Sequence, residues 1–125
     1  MILNRSELGV GHAFRMVLEV GEAFQRVLPA EIPEAIVKAH RDWMETNDCP
    51  MVVTFAPVVL SGPGHPCFPG VLITGFSNTP EDLVAPDEKR ALDRVESLAR
   101  YLIETLGVAA VVFTVGGKSV HLSRA

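Results

Sequence analysis

The run MVVTFAPVVLSGPGHPCFPGVLITGF, residues 51–76, decides how the rest of the chain is read. Its two ends, Met51 to Leu60 and Val71 to Phe76, are β-branched or otherwise apolar at successive positions rather than at alternate ones. A strand of that composition is one covered on both faces. The decapeptide between them, Ser61 to Gly70, is built from glycine and proline and reads as a stiff connecting loop. From Cys49 to Pro80 there is no Asp, Glu, Lys or Arg, and the same span holds both cysteines and six of the nine prolines. Pro57 lacks a donor for a sheet ladder, so a bulge or an edge position is expected there.

Toward the C-terminus the signals are clearer. Asp87 to Leu106 places Ala91, Leu92, Val95, Leu98, Ala99, Leu102, Ile103 and Leu106 at the i, i+3, i+4, i+7 spacing of a helix with one apolar face. Gly107 stands where a left-handed C-cap belongs. Thr79-Pro80-Glu81-Asp82 has the grammar of a helix start, and Pro86 limits that helix to one turn. Val108 to Val115 is a third buried strand. Gly116 and Gly117 then make a tight turn, and the more polar Lys118 to Leu122 returns as an edge strand.

Toward the N-terminus, residues 4–28 are expected to be a helix. Asn4 caps it, Glu7 completes a capping box, and Val10, Phe14, Val17, Gly21, Phe24 and Leu28 form its stripe. Gly9 and Gly11 weaken the first turns, and His12 to Val20 also alternates in part as a strand would. After Pro29, a second helix begins at Pro33 and ends near Asn47, with Ile32, Ile36, Ala39 and Trp43 on its apolar side.

The expected order is therefore α-α-β-β-α-β-β. It describes one α+β domain over residues 1–125, with a single four-stranded, mostly antiparallel sheet packed with helices. The second strand, the long helix and the third strand can form one βαβ crossover, right-handed if those strands are parallel neighbours.

Composition narrows the function classes. The formal net charge is −4 over 125 residues, and no basic cluster exceeds Lys89-Arg90. That disfavours nucleic-acid binding, which draws on counterion release by a basic surface. No apolar run approaches the roughly 18 residues of a spanning helix, and the first residues do not read as a secretory leader. A cytoplasmic protein with reduced thiols is expected. The mean hydropathy of +0.27 is high for a small domain, which points to apolar surface covered by another copy, most simply in a homodimer.

Chemistry-bearing candidates are few. Gly117-Lys118-Ser119 imitates the end of a phosphate-binding loop, but its upstream glycine position is Val112 and the tripeptide sits in a hairpin. His65 and Cys67 could pair as base and thiol. The prolines at 63, 66 and 69 have a period of three, however, which in a polyproline conformation would set His65 and Cys67 on different edges. His40, Cys49, His65 and Cys67 form a conceivable tetrahedral metal set, though their spacing matches no zinc motif. An uncharged loop is unusual at a surface, so residues 61–70 are expected to line a pocket or a partner surface. Ser61, His65, Ser77 and Asn78 would supply its polar groups and Phe68 its apolar contact. The leading reading is a small binding or interaction protein with a small-molecule ligand or a second copy as partner. The alternatives are a small enzyme using Cys67 or His65, and a structural subunit of a larger assembly. No cofactor can be named from the sequence.

Overall fold

The computed structural model describes residues 1–5, 12–20, 34–63, 65–77 and 87–124, with only the backbone for 65–68. Its elements are β1 (His12–Glu19), α1 (Glu34–Asn47), β2 (Val53–Gly62), β3 (His65–Ser77), α2 (Glu88–Leu106), β4 (Ala110–Val115) and β5 (Lys118–Ser123). The strands make one five-stranded sheet in the order β2-β3-β1-β4-β5, antiparallel at every junction. The fold is α+β in the sense of helices laid on an antiparallel sheet.

This overturns the expected α-α-β-β-α-β-β order with four strands. The central strand of the sheet, β1, comes from the segment expected to be a helix. Phe14, Met16 and Leu18 are buried, with Arg15 exposed and Val17 half-buried between them, so the period is two and not 3.6. Phe14 and Val17, both on the supposed helical stripe, lie on opposite faces of the sheet. The helix lost for a physical reason. Glycines at 9 and 11 each cost a helix up to about 1 kcal/mol relative to alanine. As a strand, the same residues pair with two apolar neighbours at once, β3 and β4. The remainder of the expected first helix (residues 6–11 and 21–28) and the expected short helix near Pro80 lie outside the described residues.

The expected βαβ crossover between neighbouring parallel strands is also corrected. Both β3 and β4 pair antiparallel with β1, which lies between them. The connection through α2 is therefore a split one, giving β-α-β-β-α-β with β5 appended at the edge. The decapeptide 61–70 is not a long loop either. Its residues continue β2 to Gly62 and begin β3 at His65, so the two strands meet at a tight connection with a register irregularity between Leu60 and Gly62. Pro57 falls on β2, an edge strand, where its missing N–H removes no bond from a central ladder.

Both helices pack on one face of the sheet. Ile36, Ala39 and Trp43 of α1 and Ala91, Val95, Leu98, Ala99 and Leu102 of α2 join Phe14, Met16, Leu18, Val71, Ile73, Val111, Phe113 and Val115 in one core. The Trp43 indole N–H donates to Ser97 Oγ at 3.2 Å and ties the helices together. Asp87 caps α2 by accepting from the backbone N–H of Lys89 at 2.9 Å, and Gly107 closes it in the left-handed region at φ 71°. Gly75 faces this core. A Cβ there would stand 2.8 Å from the Val52 carbonyl oxygen and 2.9 Å from Val53 Cγ1, so the position accepts no side chain. No described helix is long and apolar enough to cross a membrane.

Candidate functional site

The register assigns side chains to the opposite face of the sheet without ambiguity. Because successive residues alternate, the partners of Arg15, Val17 and Glu19 point away from the helices. Three rows result. The first crosses all five strands as Thr54, Thr74, Arg15, Thr114 and Ser119. The second runs Ala56, Leu72, Val17, Val112 and His121. The third runs Val58, Gly70, Glu19, Ala110 and Ser123. Phe76, opposite Ala13, begins a further row on the other side of Arg15.

This face combines two properties seldom found together on a solvent-facing sheet. Its middle row is apolar across four strands. Phe76 is 60% exposed and Val112 37% exposed, although antiparallel sheets with one solvated face normally alternate apolar-in with polar-out. Beside that row runs a line of hydroxyl groups centred on one guanidinium. Thr114 and Ser119 are linked through their hydroxyl oxygens at 2.9 Å. Among the described residues, Arg15 and Glu19 have no ion-pair or hydrogen-bond partner for their side chains. They cannot reach each other along the strand, since four residues of strand span about 13 Å and Val17 stands between them.

The residues singled out from sequence are distributed differently. Ser61 is exposed near the end of β2, and His65 opens β3, paired through its backbone to Gly62. Phe68 pairs with Leu60, and Cys67 precedes it on the same strand. The side chains of His65, Cys67 and Phe68 lie outside the description, as does Asn78 altogether. Ser77 ends β3, some twelve residue steps or about 40 Å from His65, and so at the other end of the molecule. It is fully buried on the helix side, where its Oγ accepts from Arg94 Nε at 2.9 Å and its carbonyl from Arg94 Nη2 at 3.4 Å.

The other two proposed metal ligands are also interior. Cys49 is buried just after α1, its N–H donating to the Met44 carbonyl at 3.1 Å. His40 lies buried in α1, edge-on to Phe55 with ring centroids 5.7 Å apart. Its Nε2 has no hydrogen-bond partner, and burial pushes its pKa below the ordinary value because charging it there would cost solvation. Among the described residues no three His, Cys, Asp or Glu side chains gather as a metal site.

Arg15, Thr74 and Thr114 were not singled out from the sequence. The available signal was the alternation of Arg15 and Glu19 with buried Phe14, Met16 and Leu18, which the helical reading of that segment concealed.

No family model and no curated protein matches the chain by sequence. Two solved structures resemble it over nearly its whole length. One is a phage SAM lyase in the apo state, 14% identical with a TM-score of 0.67, covering 99% of this chain and 97% of that one. The other is a phage SAM lyase in complex with S-methyl-5'-thioadenosine, 12% identical with a TM-score of 0.64 and the same coverage. At these identities the likeness is one of fold.

Proposed function

We propose that this protein binds a small molecule on the open face of its sheet, and that the ligand is a sulfur-bearing adenine nucleoside. The observation that carries the reading is the half-buried to exposed apolar row Ala56, Leu72, Val17 and Val112, which no described helix covers, beside a guanidinium with no partner among the described residues and a line of hydroxyls. Ligand sites have that make-up, mostly apolar with a few placed polar groups. The identity of the ligand is supported by the fold neighbour that holds S-methyl-5'-thioadenosine.

A flat sheet encloses no ligand alone, so a second copy of the chain covers the rest of the face in a cytoplasmic homo-oligomer. The Gly/Pro hairpin end at 61–70, uncharged throughout, extends past the last residue of β3 that β1 pairs, Gly70, and provides a further wall or partner surface.

Titration calorimetry with S-methyl-5'-thioadenosine tests the ligand, and native mass spectrometry tests the oligomer. Binding in the micromolar range is expected, and replacing Val112 with Asp is expected to shift the mass to a monomer while the fold survives. A monomeric wild-type protein that ignores the nucleoside at millimolar concentration would sink the reading.

A second reading, an enzyme acting on S-adenosylmethionine, is favoured by one observation: both fold neighbours are lyases. Incubating the protein with that sulfonium compound and watching for S-methyl-5'-thioadenosine by mass spectrometry separates catalysis from binding. Replacing Cys67 and His65 in the same assay tests whether either takes part.

A further inference from the structure

We infer that Arg15, flanked by Thr74 and Thr114, is the anchor for a carboxylate carried by the ligand. This deepens the reading above and rests on it: the open face not only takes an adenine nucleoside but selects one bearing an amino-acid carboxylate. Among the described residues Arg15 is the one permanent cation on this face, and it sits on the central strand. Its neighbours on both sides are threonines, Thr74 on β3 and Thr114 on β4. Side chains directly opposite across a ladder stand about 5 Å apart at Cβ, so both hydroxyls lie within reach of whatever the guanidinium holds.

A planar fork of N–H donors fits a carboxylate with two parallel bonds, and a hydroxyl on each side can donate to the remaining lone pairs. Ser119, 2.9 Å from Thr114, can donate to Thr114 and thereby turn the Thr114 proton toward the anion. The adjoining row Leu72, Val17 and Val112 gives the apolar body of the same molecule a bed one residue pair away. Glu19, the one carboxylate on the face among the described residues, is held out of reach within the same chain. Any cover over this face must therefore bring an anion, because a charge removed from water without a partner is strongly destabilising. The ligand is one source of that anion. The other is Glu19 of a second copy, and the experiment separates them.

The probes are S-adenosylhomocysteine and S-methyl-5'-thioadenosine, both adenosine thioethers, of which the first alone carries a carboxylate. Calorimetry on the wild-type protein should show tighter binding of S-adenosylhomocysteine. Arg15→Gln should weaken that compound about 10- to 100-fold, the range of a lost charge-assisted pair, and leave S-methyl-5'-thioadenosine within about threefold. Arg15→Lys, which keeps the charge without the fork, should fall between, and Thr74→Val should cost S-adenosylhomocysteine a smaller factor. Equal weakening of both compounds, with a mass shift to monomer in both Arg15→Gln and Glu19→Gln, overturns the proposal in favour of an inter-copy ion pair. An unchanged S-adenosylhomocysteine affinity in Arg15→Gln overturns it outright. If neither compound binds the wild-type protein, the nucleoside reading itself has failed, an outcome distinct from the other two.

Discussion

The two faces of the sheet are made from the same strands and much the same residue types, yet they have opposite fates. On one face Phe14, Met16, Ile73, Val111 and Phe113 lie beneath two helices and reach 0–3% exposure. On the other, Val17, Leu72 and Val112 are as apolar as a core requires, and no described helix covers them. The difference teaches that hydrophobicity alone did not assign the cover. The polar positions did, since Arg15, Thr74, Thr114 and Glu19 all fall on the second face, and α1 and α2 present their apolar stripes to the first. An apolar surface that no described helix covers, beside a charge with no partner among the described residues, is the contrast on which the proposed binding role rests.

Adjacent residues of β4 offer the sharpest way to break that contrast. Phe113 points under the helices and Val112 away from them. Phe113→Ala should cost about 3–5 kcal/mol in urea unfolding through the cavity it leaves. In dilute protein, where no second copy is present, Val112→Ala should cost well under about 1 kcal/mol, as at an ordinary surface position. A Val112 loss as large as that of Phe113 in the monomer would mean that both faces are covered within one chain.

Next in size is overpacking. Gly75→Ala forces a methyl into the Val52 carbonyl oxygen and Val53, with Phe14 Cε1 at 3.2 Å on the same side. A loss of about 1–3 kcal/mol is expected, read as a lower midpoint with an unchanged slope.

His40 sharpens the comparison through pH. It is buried on the helix side without a partner for Nε2, and its pKa is lowered by burial. In the unfolded chain the imidazole takes a proton near the ordinary value of about 6.5; in the folded protein it does so only at lower pH. Stability is therefore complete above about pH 6.5 and falls as the pH drops from there toward the folded-state pKa. The urea midpoint should decline between pH 7.5 and 5.5 in wild-type protein and decline less in His40→Phe.

The smallest effect is expected at the candidate anchor. Arg15→Gln should change monomer stability by no more than about 0.5 kcal/mol, because its side chain is exposed and without an intrachain partner among the described residues. Paired with a large loss in carboxylate affinity, that near-neutrality would mark Arg15 as a binding residue. A loss of several kcal/mol would make it a structural one.

How much of this was legible beforehand varies by element. The span of α2, its start at Asp87 and its stop at Gly107 could be read off local rules, because capping and a 3.6-residue apolar period are properties of neighbouring residues. The hairpin at Gly116 and the two uncharged strands around the Gly/Pro segment were legible for the same reason. Residues 12–19 were not. Eight residues with Phe14, Met16, Val17 and Leu18 satisfy a helical stripe and a strand alternation about equally, and the choice was settled by two strands more than 50 residues away that offered β1 partners on both sides. The candidate site went with it. Arg15 gains meaning only when the register sets it between Thr74 and Thr114.

The amino-acid sequence by itself determined which segments are apolar, where α2 begins and ends, and where the tight turn at Gly116 lies. Tertiary structure alone decided which face of each strand the helices cover and which side chains meet in rows across the sheet. Local propensity acts between residues a few positions apart, whereas strand order and register are fixed by pairing across the whole chain, so a row such as Thr54, Thr74, Arg15, Thr114 and Ser119 exists only once the sheet has formed.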